Sequence, residues 1–401
     1  MSPSGRLVNV DERLAAFVAD SSVSPIFGDR HPDRAAFLRL VGQGVDLSTL
    51  FDLRDLFPTS PLVRMLPRSS KAEQYRQDLF RLVDDVLRLH EERKPAGDGY
   101  EWQDMIDVLL RIQKDGAAMR VALTPGVDVF AAALDTATST LQWAMAELIA
   151  NPRVMEKAQL EIRCVLAGQE RVREAALSSM LYLKAVIKET LRLHPPIALI
   201  PRVCLDDQTI QGYDAPKGTV VVINAWAISR DPRYWDDSNR FKPERFEGDN
   251  ALDFSQNSMS RAVRAEAPGA LPLSTRGGGY GGFLDLREKI FFLIKCPEAV
   301  IPPAGRVFYA LDFKGLDFEF TPFGAGRRDC PGITFAEANV EIALATLLYH
   351  FDWELPAGAK PGEIDMTEQF GLLSITRKSE LFLQPIPRIP PVHDASISST
   401  T

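Results

Sequence analysis

Apolar positions recur at helical spacing through the first half of the chain and at strand spacing only in short pieces of the second. Near the start, Val8, Leu14, Ala15, Phe17 and Val18 predict one buried helix face within Met1–Asp20. Asp33–Val41 and Trp102–Gln113 predict short helices, and Lys71–Arg93 a longer one with apolar Leu79, Leu82, Val83, Val86 and Leu87. Lys94–Gly99 carries Pro and Gly and is a loop. From Val121 to Asn151 the helical pattern has no break after Gly126, which gives about 45 Å of helix at 1.5 Å per residue. Asp128, Asp135, Gln142 and Glu147 make it too polar to span a membrane. Asn151-Pro152 closes it and opens the next helix, with Pro in the favoured first turn, running to about Leu166. Tyr182–Leu193 is helical up to His194-Pro195-Pro196.

Then the period changes. Arg202–Leu205, Thr209–Gln211 and Thr219–Ile223 are short, turn-bounded strand patterns, with Gly212, Pro216 and Gly218 in the turns. Ile333–Tyr349 returns to a long apolar helix, Gly371–Pro385 to short strands, and the Pro-rich end reads as a surface tail. One stretch fits neither pattern. Ser255–Ala310 is rich in Gly, Ser and Arg in its first half, with an isolated apolar run at Ile290–Ile294. A verbatim repeat flanks it, Ala251-Leu252-Asp253-Phe254 and Ala310-Leu311-Asp312-Phe313. A loop of that length without structure is unusual in a compact domain. It reads as an insert, from a retained intron or a gene-model error, or else as a genuine surface insertion.

The 401 residues suffice for a large core, and 45% hydrophobic with 25% charged residues is the balance of a soluble globular chain. A net charge of −8 argues against a nucleic-acid partner. The four cysteines, Cys164, Cys204, Cys296 and Cys330, form neither a disulfide framework nor a zinc pattern, and a reducing compartment fits. The five histidines show no metal-ligand spacing, and His194 reads as structural.

The candidate chemistry lies in Phe323-Gly324-Ala325-Gly326-Arg327-Arg328-Asp329-Cys330-Pro331-Gly332, just ahead of the apolar helix. Glycines let peptide N–H groups approach a sulfur, and a helix N-terminus adds positive potential. Together they favour a thiolate. A lone cysteine before a helix is most often a small buried hydrophobe; Phe, two Gly, Arg and Cys in fixed register point instead to an iron ligand. The run resembles the haem-binding loop of the cytochrome P450 monooxygenases, whose thiolate donates electron density to haem iron. Asp329 is unusual there, and its charge is expected to make reduction of the iron harder.

Further motifs extend the resemblance. Glu189-Thr190-Leu191-Arg192 puts an acid and a base on one helix face. With Pro243-Glu244-Arg245-Phe246 it resembles the family's buried triad, here Glu189, Arg192 and Arg245, in a structural role. Ala132-Ala133-Leu134-Asp135-Thr136-Ala137 resembles the oxygen-activation motif, with Asp135 the acid and Thr136 the hydroxyl. It departs at Ala133, which stands for Gly, and at Ala137, which removes a second hydroxyl; the competing reading is an Ala-rich core helix with a back-bonding Thr. The resemblance implies cofactor contacts by Phe323, Gly326 and Cys330, and haem propionates held by Arg328 and Arg202. It implies substrate contacts by Phe130, Ala131, Leu134, Ile197, Ile200 and Leu372.

TPFGAGRRDCPG, KETLRLHPP and FKPERF are in the style of the plant microsomal (A-type) members. Joining Phe254 to Lys314 gives PERFEGDNALDFKGLDFEFTPFGAG, similar to uninterrupted family sequence. The implied fold is mainly α with small β-sheets, the cytochrome P450 fold incomplete at the N-terminus. The implied organisation is one domain over 1–387, interrupted at 255–310, with a disordered tail at 388–401. The implied function is a haem-thiolate monooxygenase, with haem b as cofactor, acting on a small hydrophobic substrate with O2. Electrons come from NADPH through NADPH-cytochrome P450 reductase. The family resides on the cytosolic face of the endoplasmic reticulum membrane; this chain shows no anchor of its own, so a cytosolic location is the other expectation. The rival reading is a truncated remnant that binds haem poorly or not at all.

Overall fold

The computed structural model describes residues 6–27, 70–92, 124–210, 212–247, 292–293, 318–370 and 374–388. The helices expected at Asp33–Val41 and Trp102–Gln113 lie outside these. Eight α-helices are described: α1 (Val10–Phe27), α2 (Ser70–Glu91), α3 (Thr124–Ala150), α4 (Pro152–Val165), α5 (Glu174–Leu177), α6 (Leu181–Leu193), α7 (Ala225–Ile228) and α8 (Ile333–His350). Ten short strands accompany them: β1 (Val8–Asn9), β2 (Leu199–Val203), β3 (Gln208–Ile210), β4 (Tyr213–Ala215), β5 (Val220–Asn224), β6 (Phe292–Leu293), β7 (Phe351–Glu354), β8 (Glu368–Phe370), β9 (Ile375–Arg377) and β10 (Phe382–Pro387). They form the sheets β1-β10-β7 and β2-β5-β6 and the hairpins β3-β4 and β8-β9.

The core forms around α3, α6 and α8. From Ala137 to Ile149, α3 is buried all round except at Gln142, and its Ala, Ser and Thr positions let neighbours come close. A helix buried on every side has no polar face to show. In α1 the buried stripe is Val10, Leu14 and Val18, while Phe17, expected on that face, is 39% exposed. The stripe follows an i, i+4, i+8 line, and Phe17 falls one position off it. Asn151 precedes α4 without a side-chain cap, and Pro152 takes the first turn.

Strand positions depart from the sequence pattern where register decides them. β2 starts at Leu199 rather than Arg202, because Leu199 pairs with Asn224 and Ile200 with Ile223. β10 continues to Pro387, beyond the expected tail start at Pro385. Its prolines lie where β1 no longer runs, since β1 pairs only Leu383 and Phe382, so that edge needs no N–H donor. Within the suspected insert, Phe292–Leu293 forms a parallel edge to β5 opposite Val221 and Val222. The apolar run is therefore a strand at these two residues rather than unstructured.

Candidate functional site

Cys330 sits half-buried between a 3-10 turn at Gly326–Arg328 and the start of α8. Its N–H donates to the Phe323 carbonyl at 2.9 Å, folding the loop back on itself. Gly324 and Gly326 make the bend with φ of +75° and +76°, values that side chains rarely adopt. At Gly324 an added Cβ would also meet Arg202 Nη2 at 3.4 Å. Phe323 packs its ring against the main core. The Gly332 N–H donates to the Cys330 sulfur.

Burial pushes the Cys330 thiol above its ordinary value; the Gly332 N–H opposes this, and the Asp329 charge reinforces it. A metal changes that balance, because coordination removes the thiol proton outright. Arg202 projects from β2 and donates from Nη2 to the Arg328 carbonyl at 3.3 Å, 126 residues away in sequence. The two arginine positions expected at the cofactor edge are thus adjacent, and the Arg328 side chain is exposed. The donor set suits haem. A sulfur with an N–H donor lies in a loop bent at two positive-φ glycines, and the Arg202 guanidinium against that loop suits a carboxylate.

On α6, Glu189 is fully buried. Arg192 meets it with Nε at 2.7 Å from Oε2 and Nη2 at 2.9 Å from Oε1. Arg245 Nε reaches Oε1 at 3.2 Å, and the Lys242 N–H the same oxygen at 2.8 Å. Arg192 spends its remaining donors on the carbonyls of Ser229 at 2.6 Å and Ser238 at 2.8 Å. Such a buried pair survives because every charge is compensated. Arg245 comes from the one-turn 3-10 helix Pro243–Phe246, positioned by buried Phe246 and Trp235.

On α3, Thr136 donates to the Ala132 carbonyl at 2.6 Å, and Thr140 to the Thr136 carbonyl at 2.9 Å. The helix is unbroken at this turn, and the hydroxyl is satisfied by its own backbone, the competing reading for this segment. Ala137, where a second hydroxyl is missing, is a core residue at 5% exposure. Burial raises the Asp135 carboxyl above the usual aspartate range, and a hydrogen bond from buried Ser374 partly offsets it. Leu134 packs against the core and Ile200 is half-buried, whereas Ile197 is 42% exposed. The side chains of Phe130 and Ala131, and all of Leu372, lie outside what is described. Among the described residues no His, Cys, Asp and Glu cluster could hold a metal ion, and no helix is long and apolar enough to cross a membrane.

A second buried polar cluster carries no motif. His194 stacks on Trp143 at 3.7 Å and places Nε2 2.8 Å from Glu147 Oε1 and Nδ1 3.2 Å from Glu368 Oε1. Glu368 also accepts from Trp226 Nε1 at 2.8 Å and Arg230 Nη2 at 2.7 Å. Its members come from four separate elements, and no spacing in the sequence announces them.

Comparison with known proteins adds an independent line. The sequence pattern of the family described as Cytochrome P450 matches residues 2–262 and 310–382. The chain is 37% identical to cytochrome P450 71D8 of Glycine max, over 98% of this chain and 68% of that protein. It is 36% identical to desmethyl-deoxy-podophyllotoxin synthase of Sinopodophyllum hexandrum, over 98% and 67%. It is 35% identical to premnaspirodiene oxygenase of Hyoscyamus muticus, over 96% and 66%. A zebra fish cytochrome P450 solved with abiraterone superimposes with a TM-score of 0.65 at 20% identity, covering 95% of this chain and 72% of that one, a likeness of fold.

Proposed function

The chain belongs to the cytochrome P450 family of monooxygenases, and on that premise we propose that it inserts one oxygen atom of O2 into a small hydrophobic substrate of plant specialised metabolism. The observation that carries this is the Cys330 sulfur, set at the N-terminus of α8 with the Gly332 N–H upon it and a glycine bend behind. Relatives named as an oxygenase of premnaspirodiene and as salviol synthase support the substrate class, and both come from plants.

Haem bound here supplies the iron at which O2 is activated and split between product and water. Cys330 would supply the sulfur ligand, and Arg202 and Arg328 would partner the cofactor's carboxylates. Phe323 and Gly326 shape the loop that carries the sulfur. Glu189, Arg192 and Arg245 act structurally. Burial shifts the Asp135 carboxyl toward its protonated form, one residue from the Thr136 hydroxyl. Thr136 Oγ1 can leave the Ala132 carbonyl by rotating about χ1 and donate outward. Among the described residues, Leu134, Ile197 and Ile200 would supply apolar contacts to substrate, as a pocket for a hydrophobic ligand requires. Electrons reach the site from NADPH through a flavoprotein reductase, and the protein works at the cytosolic face of the endoplasmic reticulum.

The reduced, carbon-monoxide-treated absorption spectrum of the full chain tests the reading. A thiolate-type Soret band is expected, lost in Cys330→Ser and kept in Cys164→Ser, Cys204→Ser and Cys296→Ser. Loss of the band in one of those three moves the ligand elsewhere. A wild-type chain that takes up no haem favours the remnant.

A further inference from the structure

His194 touches a carboxylate oxygen with each ring nitrogen. A neutral imidazole has one N–H and can serve only one of them. The other neighbours of the two acids are donors: Asn151 Nδ2 at 3.1 Å from Glu147 Oε2, and Trp226 Nε1 and Arg230 Nη2 on Glu368. Both carboxylates are therefore built to accept. Burial pushes the Glu368 carboxyl up, but hydrogen bonds from His194 and Trp226 and the charge of Arg230 hold it below the usual range. With a doubly protonated ring, Glu147, His194, Glu368 and Arg230 sum to zero charge in a site where His194 is 5% and Glu147 6% exposed. With a neutral ring, one negative charge would be buried unpaired.

The cluster also ties four elements together. Glu147 lies near the end of α3, His194 just past α6, Trp226 in α7 and Glu368 in β8. The next strand, β9, is anchored to the same surfaces. The Ile375 carbonyl accepts from Ser139 Oγ at 2.6 Å and Trp143 Nε1 at 3.1 Å, and the Ile375 N–H donates to the Pro196 carbonyl at 2.8 Å. Trp143, the ring on which His194 stacks, thus also holds β9. One residue before, Ser374 bonds Asp135.

We propose that His194 is a positioning residue, a doubly protonated strap between Glu147 and Glu368 that fixes the β8–β9 hairpin against α3. Its bearing on catalysis, through the wall shared by Ser374 and Asp135, rests on the function proposed above. The strap itself does not.

Two measurements on the full chain test it. Nitrogen-15 NMR of histidine-labelled protein, with five histidines and His194 assigned by its absence in His194→Phe, reads the ring directly. Both nitrogens are expected protonated at pH 7.5, and a neutral ring there overturns the proposal. Hydrogen exchange reads the positioning. His194→Phe keeps a ring to stack on Trp143 but no N–H, so the amides of Glu368–Arg377 are expected to exchange at least about tenfold faster. Exchange within roughly twofold of wild type would reduce His194 to packing and overturn the strap. Should His194→Phe not fold, Glu368→Gln decides: one of the five histidine rings is expected to lose its second proton at lower pH than in wild type, and five unchanged titrations are the contrary result. The carbon-monoxide spectrum of the same samples reports on Cys330 alone, so loss of that assignment is seen separately from loss of the strap.

Discussion

Glu189 is a carboxylate with no exposed surface, and it accepts from two guanidinium groups and one peptide N–H. Removing one cation leaves an uncompensated buried charge, so Arg192→Leu is expected to cost roughly 3–5 kcal/mol in urea unfolding. Arg245→Leu should cost less, because its side chain is partly solvated and Arg192 still covers the acid. The Glu189–Arg192 spacing is legible in sequence, because i and i+3 share a helix face. Arg245, 56 residues on, is reachable only through the family resemblance. Nothing in the sequence marks the Glu147–His194–Glu368 set, because a histidine after a helix has no spacing that names its partners. At Thr136 the motif was legible but its state was not: the hydroxyl rests on the Ala132 carbonyl. Under the proposed function, Thr136→Ala should leave substrate binding near wild type and raise hydrogen peroxide released per NADPH consumed. Unchanged product per NADPH would return Thr136 to the core.

At the scale of elements, two side chains of α3 converge on one carbonyl of β9. Ile375 O accepts from both Ser139 and Trp143, each wholly buried. Ser139→Ala is expected to cost about 1 kcal/mol, because the indole still serves that oxygen. Trp143→Phe with Ser139→Ala should cost more than the two singles summed, because the pair then orphans it. Denaturant midpoints of the four proteins measure this. Helix α8 carries a different liability. Burial pushes the Glu341 carboxyl up from 4.5 to about 7, although Lys184, at 3.8 Å, and Lys188 work against it. Between those values the folded chain binds more protons than the unfolded one, so stability falls as pH rises, by up to about 3 kcal/mol. Thermal midpoints of Glu341→Gln should lack that decline between pH 5 and 7. The long helices among the described residues were legible, because long apolar periods fix them; the four-residue α5 and α7 were not. Strand starts were not, because pairing partners set them, as Asn224 does for Leu199.

For the whole molecule, the family pattern is interrupted near 255–310. The family match stops at 262 and resumes at 310, beside the repeated Ala-Leu-Asp-Phe. Closure entropy grows slowly with loop length, so deleting Ser255–Phe313 should preserve folding and raise haem incorporation per chain. A chain that unfolds on deletion would make β6 a required strand. The other end-to-end feature has a kinetic consequence. β1 pairs with β10, Val8 opposite Leu383, and the Asp11 carboxylate caps the Leu381 N–H at 2.8 Å. On a ribosome these partners appear 383 − 8 = 375 residues apart. At about 5–20 residues per second, the first strand waits roughly 20–75 seconds for its mate. During synthesis Val8 and Asn9 are therefore an unpaired edge, open to chaperones and proteases until the last strand arrives.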